Sequence, residues 1–279
     1  MELKHAFVET TQSLTLPDLQ EVQIMPIGDV QLGAIGTDVE RLKRQIDWAM
    51  SQKTPTYFLG MGDYIDTMSP SNRKAWAGAE LYDSAKAAME ARVHQLTDEF
   101  LTIVDGTEGM WLGLLQGHHY YDHADATTSD QDICEELDAP FLGSCAYVVV
   151  NFPNGQRCVI WCHHGNGSGR VAHSPLTALY PIVQTFEADI YLIGHQTKKV
   201  AVKIPRIYVS EDGQSIIDRN KIVAGTGGFT KGYELGSAAL SGKPEGSYVE
   251  QAMMSPVALG GVLIRVRPKE DKIDLNVEL

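Results

Sequence analysis

The chain is short of most features that announce a function at a glance, and each shortage narrows what it can be. It holds four cysteines in 279 residues, Cys134, Cys145, Cys158 and Cys162. No two are spaced as Cys-x-x-Cys, so neither a disulfide framework nor a cysteine-held zinc is expected; reduced thiols packed as small apolar groups are. No apolar run approaches the roughly 18 residues of a membrane span. Residues 1–11 carry neither an apolar core nor a small-residue cleavage site, so a secretory signal is not expected and the cytoplasm is the default location, a host's cytoplasm if the chain is phage-encoded. Basic residues are outnumbered, 23 against 36 acidic, for a net charge of −13. That balance opposes non-specific binding to a phosphate backbone, which disfavours nucleic acid as a partner. There is no internal repeat, low-complexity tract or linker, so one domain is expected over 1–279, with its chemistry-bearing part at about 22–235. Hydrophobic residues at 43% and charged residues at 21% are those of an ordinary globular protein.

What is present is a run of strands and helices in a particular order. Val22 to Gly28 reads as a buried strand, and Thr37 to Met50 as an amphipathic helix capped by Thr37 or Asp38. Tyr57 to Gly60 reads as a strand, Lys74 to Val104 as helical territory rich in alanine and leucine, and Met110 to Leu115 as a third strand. Crossovers of that length suit parallel neighbours. Ser129 to Leu137 reads as a short helix with an acidic first turn. Cys145 to Phe152 and Arg157 to Cys162 are strands joined through Asn154-Gly155, a hairpin signal. Thr177 to Phe186 reads as helix, and Asp189 to Ile193 as strand. Lys199 to Val209, Lys221 to Ala224, Gly261 to Val266 and Ile273 to Val277 complete the strands. Gly225 to Gly228 reads as a loop, and Gly236 to Gly246 as a mobile excursion.

Five segments set a strand against a glycine and a metal-capable side chain: Gly28-Asp29-Val30-Gln31, Gly62-Asp63-Tyr64-Ile65-Asp66, Gly117-His118-His119, His163-His164-Gly165 and Gly194-His195-Gln196-Thr197. Five of the nine histidines fall in the last three, where an α/β sheet presents ligands from the carboxyl ends of its strands. Carboxylates and imidazoles together suit zinc, manganese or iron. A carboxylate shared between two ions, for which Asp63 is the natural choice, holds a dinuclear centre about 3.5 to 4 Å across that can clamp a phosphoryl group and activate water. Alone, each segment is a turn glycine before a polar residue; five in series are not.

In order and approximate spacing, across residues 28 to 197, these segments resemble the calcineurin-like metallophosphoesterase superfamily, whose pattern is Asp-x-His, Gly-Asp-x-x-Asp, Gly-Asn-His, a strand-end His, and Gly-His-x-His. The resemblance implies a four-layer α/β/β/α sandwich of two mixed sheets flanked by helices, with the dimetal site at one edge. It implies a metal-dependent phosphoesterase acting on a phosphomonoester or phosphodiester through metal-activated water. It implies Asp29 as the first ligand, Asp63 as the bridge and His119 as the group that protonates the leaving oxygen or orients the phosphate.

Three positions depart from the pattern: Gln31 stands where His is usual, His118 where Asn is usual, and Thr197 where the final His is usual. Asp-x-Gln is similar to the motif of the manganese-dependent ADP-ribose/CDP-alcohol diphosphatases. By the family pattern, the first metal keeps Asp29, Gln31 and Asp63 but loses both imidazoles. The second takes Asp63, His118, one of His163 and His164, and His195. Two divalent transition-metal sites of unequal affinity follow. Relatives with His-His take the first of such a pair and those with His-Gly take the residue before glycine; His163 is preferred here. Arg170 and Lys231, in glycine-rich loops, are candidate substrate-phosphate contacts, and Asp122 and His123 could replace a missing ligand. Two other readings stand: a metal-dependent nuclease, since Gly228 to Tyr233 looks like the tail of phage-type members, and a non-catalytic binding protein whose first site has eroded.

Overall fold

Two stacks of parallel strands end at one common edge, and that edge is where all five segments lie. The computed structural model describes residues 10–77, 79, 82–167, 169–210, 213–233 and 248–279; the excursion expected at 236–246 lies outside them. One sheet contains β2 (Val22–Ile27), β3 (Thr56–Gly60), β4 (Trp111–Leu115) and β5 (Phe141–Gly143), all parallel. It is extended by the antiparallel pair β12 (Leu263–Pro268) and β13 (Ile273–Glu278), in the order β13-β12-β2-β3-β4-β5. The other runs β1 (Thr10–Thr15), β6 (Cys145–Asn151), β7 (Arg157–His163), β8 (Ile190–Ile193), β10 (Ile216–Gly228) and β11 (Gly260–Gly261), with β9 (Lys199–Val209) folded back on β10. In this sheet β7, β8 and β10 are parallel.

Strand alternation sorts the side chains into three cores, and three cores make four layers. Ile24, Leu59, Val148, Val150, Cys158, Ile160, Cys162, Ile190 and Leu192 fill the space between the sheets. Their odd-register neighbours point outward. Met25, Ile27 and Phe58 pack with Leu42 and Ile46 of α1 (Val39–Met50), Val93 and Phe100 of α3 (Asp83–Ile103), and Ile133 of α4 (Ser129–Glu136). Trp161, Tyr191 and Ile193 pack on Leu179 and Val183 of α5 (Ser174–Thr185). The result is the α/β/β/α sandwich. A central truncation such as Ile160→Ala opens a cavity that nothing can collapse into, at a cost of about 2–5 kcal/mol.

Most elements fall where the periodicity puts them, and the exceptions have physical causes. Asp38 is the cap of α1, its carboxylate accepting from the backbone N–H of Arg41 at 3.1 Å; losing such a cap costs about 1 kcal/mol. The helical territory at 74–104 is two helices, α2 (Pro70–Ala77) and α3. Gly225 to Gly228 is not a loop but the end of β10. A Cβ on Gly225 would lie 2.6 Å from the Pro175 ring, so glycine there is what lets α5 lie against the strand. The short edge strands β1 and β5 carry too little alternation to be read in advance. All four cysteines are free, and burial pushes the Cys134 thiol up to about 12. Among the described residues no helix is long and apolar enough to cross a membrane.

Candidate metal centre

Because β2, β3 and β4 are parallel, and β7, β8 and β10 are too, the residues just past their ends meet over the seam between the sheets. The turns are tight. Asp29, Gln31, Asp63, His195 and Thr197 all take left-handed backbone, with φ between 49° and 62°. That conformation is uncommon for residues other than glycine and is a true outlier for β-branched Thr197. It is held by cross-strand bonds: the Asp29 N–H donates to the Gly62 carbonyl and the Gln31 N–H to the Asp63 carbonyl, both at 2.9 Å. Backbone strain of this kind, of order 1–3 kcal/mol per residue, persists only where the surroundings enforce it, and it clusters at functional sites.

The ring nitrogens of His118, His164 and His195 lie within 4.8 Å of one another. The Nδ1 atoms of His118 and His195 are 3.1 Å apart. His164 is 1% exposed, and its Nδ1 lies 2.6 Å from the Met61 carbonyl oxygen. A carbonyl only accepts, so Nδ1 carries the hydrogen and Nε2 is left for other use. That Nε2 is 3.4 Å from Asp63 Oδ2 without hydrogen-bond alignment, and both atoms are buried with no hydrogen-bond partner. The other oxygen of Asp63 accepts from the backbone N–H groups of His118 and His119, the latter at 3.0 Å. Asp29 is divided in the same way: Oδ2 accepts from the His195 N–H at 2.8 Å, and Oδ1 is buried and unpaired.

Two glycines make this closeness possible. A Cβ on Gly117 would lie 2.2 Å from Asp63 Oδ1, and one on Gly62, where φ is 91°, would lie 2.5 Å from His164 Nδ1. Either substitution would push the carboxylate and the imidazole apart.

The electrostatics follow from crowding charges in a dry place. Burial drives the Asp29 carboxyl up to about 7, with Asp63 adding to the rise and His164 opposing it. Burial also acts on Asp63, but the contact with His164 and the His118 N–H outweigh it and hold its pKa below the usual carboxylate range. His164 is the converse: burial pulls it down, Asp63 and Asp29 pull it up, and it ends at about 9. His118 is lowered to about 4 by burial and by His164 and His195. His195 is lowered for the same reasons.

His119 stands apart from the imidazole cluster. Its Nδ1 lies 2.7 Å from Asp66 Oδ1, and although burial lowers its pKa, the bond to Asp66 and the nearby carboxylates raise it overall.

The remaining candidates divide sharply. His163, preferred on sequence, turns the other way: its Nδ1 accepts from the Gly165 N–H at 2.6 Å and its ring stacks on Trp161, 5.8 Å between centroids. His164 is the member of the pair that reaches the cluster. Strand parity holds the reason, since Cys158, Ile160 and Cys162 face the inter-sheet core and His164 continues that series. Gln31 Oε1 accepts from Thr230 Oγ1 at 3.0 Å. Thr197 and Asp29 flank Gly228, whose Cβ would lie 3.2 Å and 3.0 Å from theirs. Arg170 is exposed, its carbonyl accepting from Ser255 Oγ at 3.3 Å. The Lys231 ammonium is 3.7 Å from Asp38. Asp122 faces Arg73 at 3.7 Å, and His123 faces Asp132 at 2.8 Å. Asp130 went unnoticed on sequence. It is buried in the first turn of α4 and accepts from the Gly117 N–H at 2.8 Å; its signal was the acidic first turn of that helix.

No family model and no curated protein matches the chain. Solved structures of similar fold include zinc-bound Vps29 from Entamoeba histolytica, with 10% identity, a TM-score of 0.41, and coverage of 92% of this chain and 98% of that one. They also include a predicted phosphoesterase from Streptococcus pneumoniae, at 11% identity, TM-score 0.36 and coverage of 92% and 88%. A calcineurin-like phosphoesterase from Bacillus subtilis is similar at 10% identity, TM-score 0.33 and coverage of 93% and 90%. At these values none of their activities transfers to this chain. The motifs stand at the parallel strand ends in the order read from the sequence, and they keep the departures at Gln31, His118 and Thr197 from the pattern they resemble.

Proposed function

We propose that this protein is a metal-dependent phosphoesterase that hydrolyses a phosphomonoester or phosphodiester. The observation that carries the reading is the set of buried polar atoms without a hydrogen-bond partner, Asp63 Oδ2, Asp29 Oδ1 and His164 Nε2, together with the convergence of His118, His164 and His195. Leaving such groups unmet costs about 1–3 kcal/mol each, and more when charged, a cost that a bound cation removes. The donors fit. Asp63, His118, His164 and His195 would hold one ion, of the zinc or iron kind that imidazole favours. Asp29, Gln31 and Asp63 would hold another, in oxygen-rich surroundings that suit manganese or magnesium. Metals held there would supply Lewis-acid polarisation of a phosphoryl group and a nucleophile from water at neutral pH.

The chain's own residues do the rest. Asp66 fixes His119 Nδ1 and raises its pKa, so that Nε2 can carry the proton a leaving oxygen needs. Asp63 and Asp29, each with one oxygen tied to backbone N–H groups, cannot rotate away from the basin. Arg170 and Lys231, on the loops that follow β7 and β10, are the side chains proposed to meet substrate phosphate. The net charge of −13 favours a small phosphoester over a nucleic acid strand.

The test is hydrolysis of p-nitrophenyl phosphate, bis-p-nitrophenyl phosphate and a single-stranded oligonucleotide with added manganese, for the native chain and Asp63→Asn. Activity on either small ester that Asp63→Asn abolishes is the expected result. Activity on the oligonucleotide alone would favour a nuclease. No activity with any metal, alongside intact zinc binding, would favour the binding-protein reading.

A further inference from the structure

The segment carrying His118 and His119 is gripped from outside by one side chain that plays no part in the metal centre itself. Arg73, in α2, sets its Nη1 among three backbone carbonyls: Met68 at 3.0 Å, Tyr120 at 3.1 Å, and His118. Its guanidinium lies over the Tyr120 ring, 3.9 Å from the centroid, and its Nε is 3.7 Å from Asp122. The side chain is 15% exposed. Thr67 adds a fourth hold, its Oγ1 donating to the His119 carbonyl at 2.6 Å. An arginine near such a site suggests a substrate contact, yet the Nη1 of this guanidinium is taken up by main-chain oxygens, two of which stand on either side of His119.

We propose that Arg73 is a positioning residue: by binding the carbonyls of His118 and Tyr120 it fixes the main chain between them, and so sets where the His118 ring meets the metal and the His119 ring meets the leaving group. This rests on the phosphoesterase reading. Metal ligands depend on the groups that orient them, and loss of such a partner typically costs about 10–100-fold in metal affinity or activity. Lysine, with three donors and a positive charge but no planar face, can replace the carbonyl bonds and not the stacking on Tyr120.

The experiment measures zinc affinity of the metal-free full chain by chelator competition, together with kcat and KM on an active ester, for the native protein, Arg73→Met, Arg73→Lys and Tyr120→Leu. The expected result is a fall in zinc affinity and in kcat of about tenfold or more for Arg73→Met, KM unchanged, partial recovery in Arg73→Lys, and a smaller fall of the same kind in Tyr120→Leu. A raised KM with native zinc affinity would make Arg73 a substrate contact and overturn the proposal. Native zinc affinity and kcat in the folded Arg73→Met and Arg73→Lys proteins would overturn it as well. Should Arg73→Met not fold, Arg73→Lys and Tyr120→Leu decide by the same criteria. Failure of the underlying reading is distinct: the native chain would then bind no zinc that His164→Ala abolishes.

Discussion

On the side of the basin built by β4, β7 and β8, three imidazoles converge within 4.8 Å beside Asp63. On the other side, past the ends of β2, β8 and β10, the chain presents a carboxylate, an amide and two hydroxyls, from Asp29, Gln31, Thr197 and Thr230. The presentation is shared in part: residues 29, 31, 195 and 197 have one left-handed conformation, φ 49° to 62°, which His118 and His164 do not adopt. Donor chemistry differs as well. The metal preferences proposed for the two halves rest on that difference in donor chemistry. Burial acts on both halves: it lowers His118 to about 4 and lowers His195, and it raises Asp29 to about 7, while the carboxylates beside His164 hold that imidazole up at about 9.

The comparison breaks most sharply at the histidine pair. His164→Ala should remove the tightly held metal and lower turnover by more than about 100-fold, the upper end of what even an outer partner contributes, while His163→Ala should leave both near native. Metal analysis and kinetics on the two proteins check this, and the opposite pattern would return the ligand role to His163.

A step down in size is the proton donor, which belongs to neither half. His119→Ala should cut turnover by about 100-fold, within the range for lost acid catalysis, without changing metal content. Asp66→Asn should do less and do it through pH. Asp66 raises the His119 pKa, and an acid must be protonated to act, so activity lost on the alkaline side should be lost at lower pH in the variant. A pH profile whose basic limb does not move would detach His119 from that limb.

Smallest is the attempt to make the halves alike. Gln31→His with Thr197→His should tighten manganese binding by roughly tenfold, the lower end of what one supporting partner contributes, as read by titration calorimetry. Histidine also tolerates left-handed backbone better than a β-branched residue, so melting temperature should not fall. Unchanged manganese affinity would mean that the first half is set by something other than these two positions.

How much of this the sequence disclosed depends on whether the signal was local. Strand ends followed by Gly-Asp or Gly-His are local, and Asp29, Asp63, His118 and His195 could be read from them. The choice between His163 and His164 needed strand parity carried one residue past β7, where the series Cys158, Ile160, Cys162 already pointed to His164. Gly225 to Gly228 reads as loop because glycine has no side chain to alternate, yet its role is to admit Pro175 on one face and to sit between Asp29 and Thr197 further on. Asp130 and Arg73 act through backbone groups of residues 117 to 120. Such contacts leave no spacing rule, because any carboxylate or guanidinium that reaches a peptide group will serve.

The most direct measurement is the number and tightness of metals per chain in protein purified without chelator, before and after dialysis against a weak chelator, with activity followed as manganese is returned. Close to one retained metal, lost in His164→Ala, and activity that rises with millimolar manganese is the predicted result. Two metals that both survive dialysis, or one that survives in His164→Ala, would contradict the division of the basin into a tight imidazole half and a loose oxygen half.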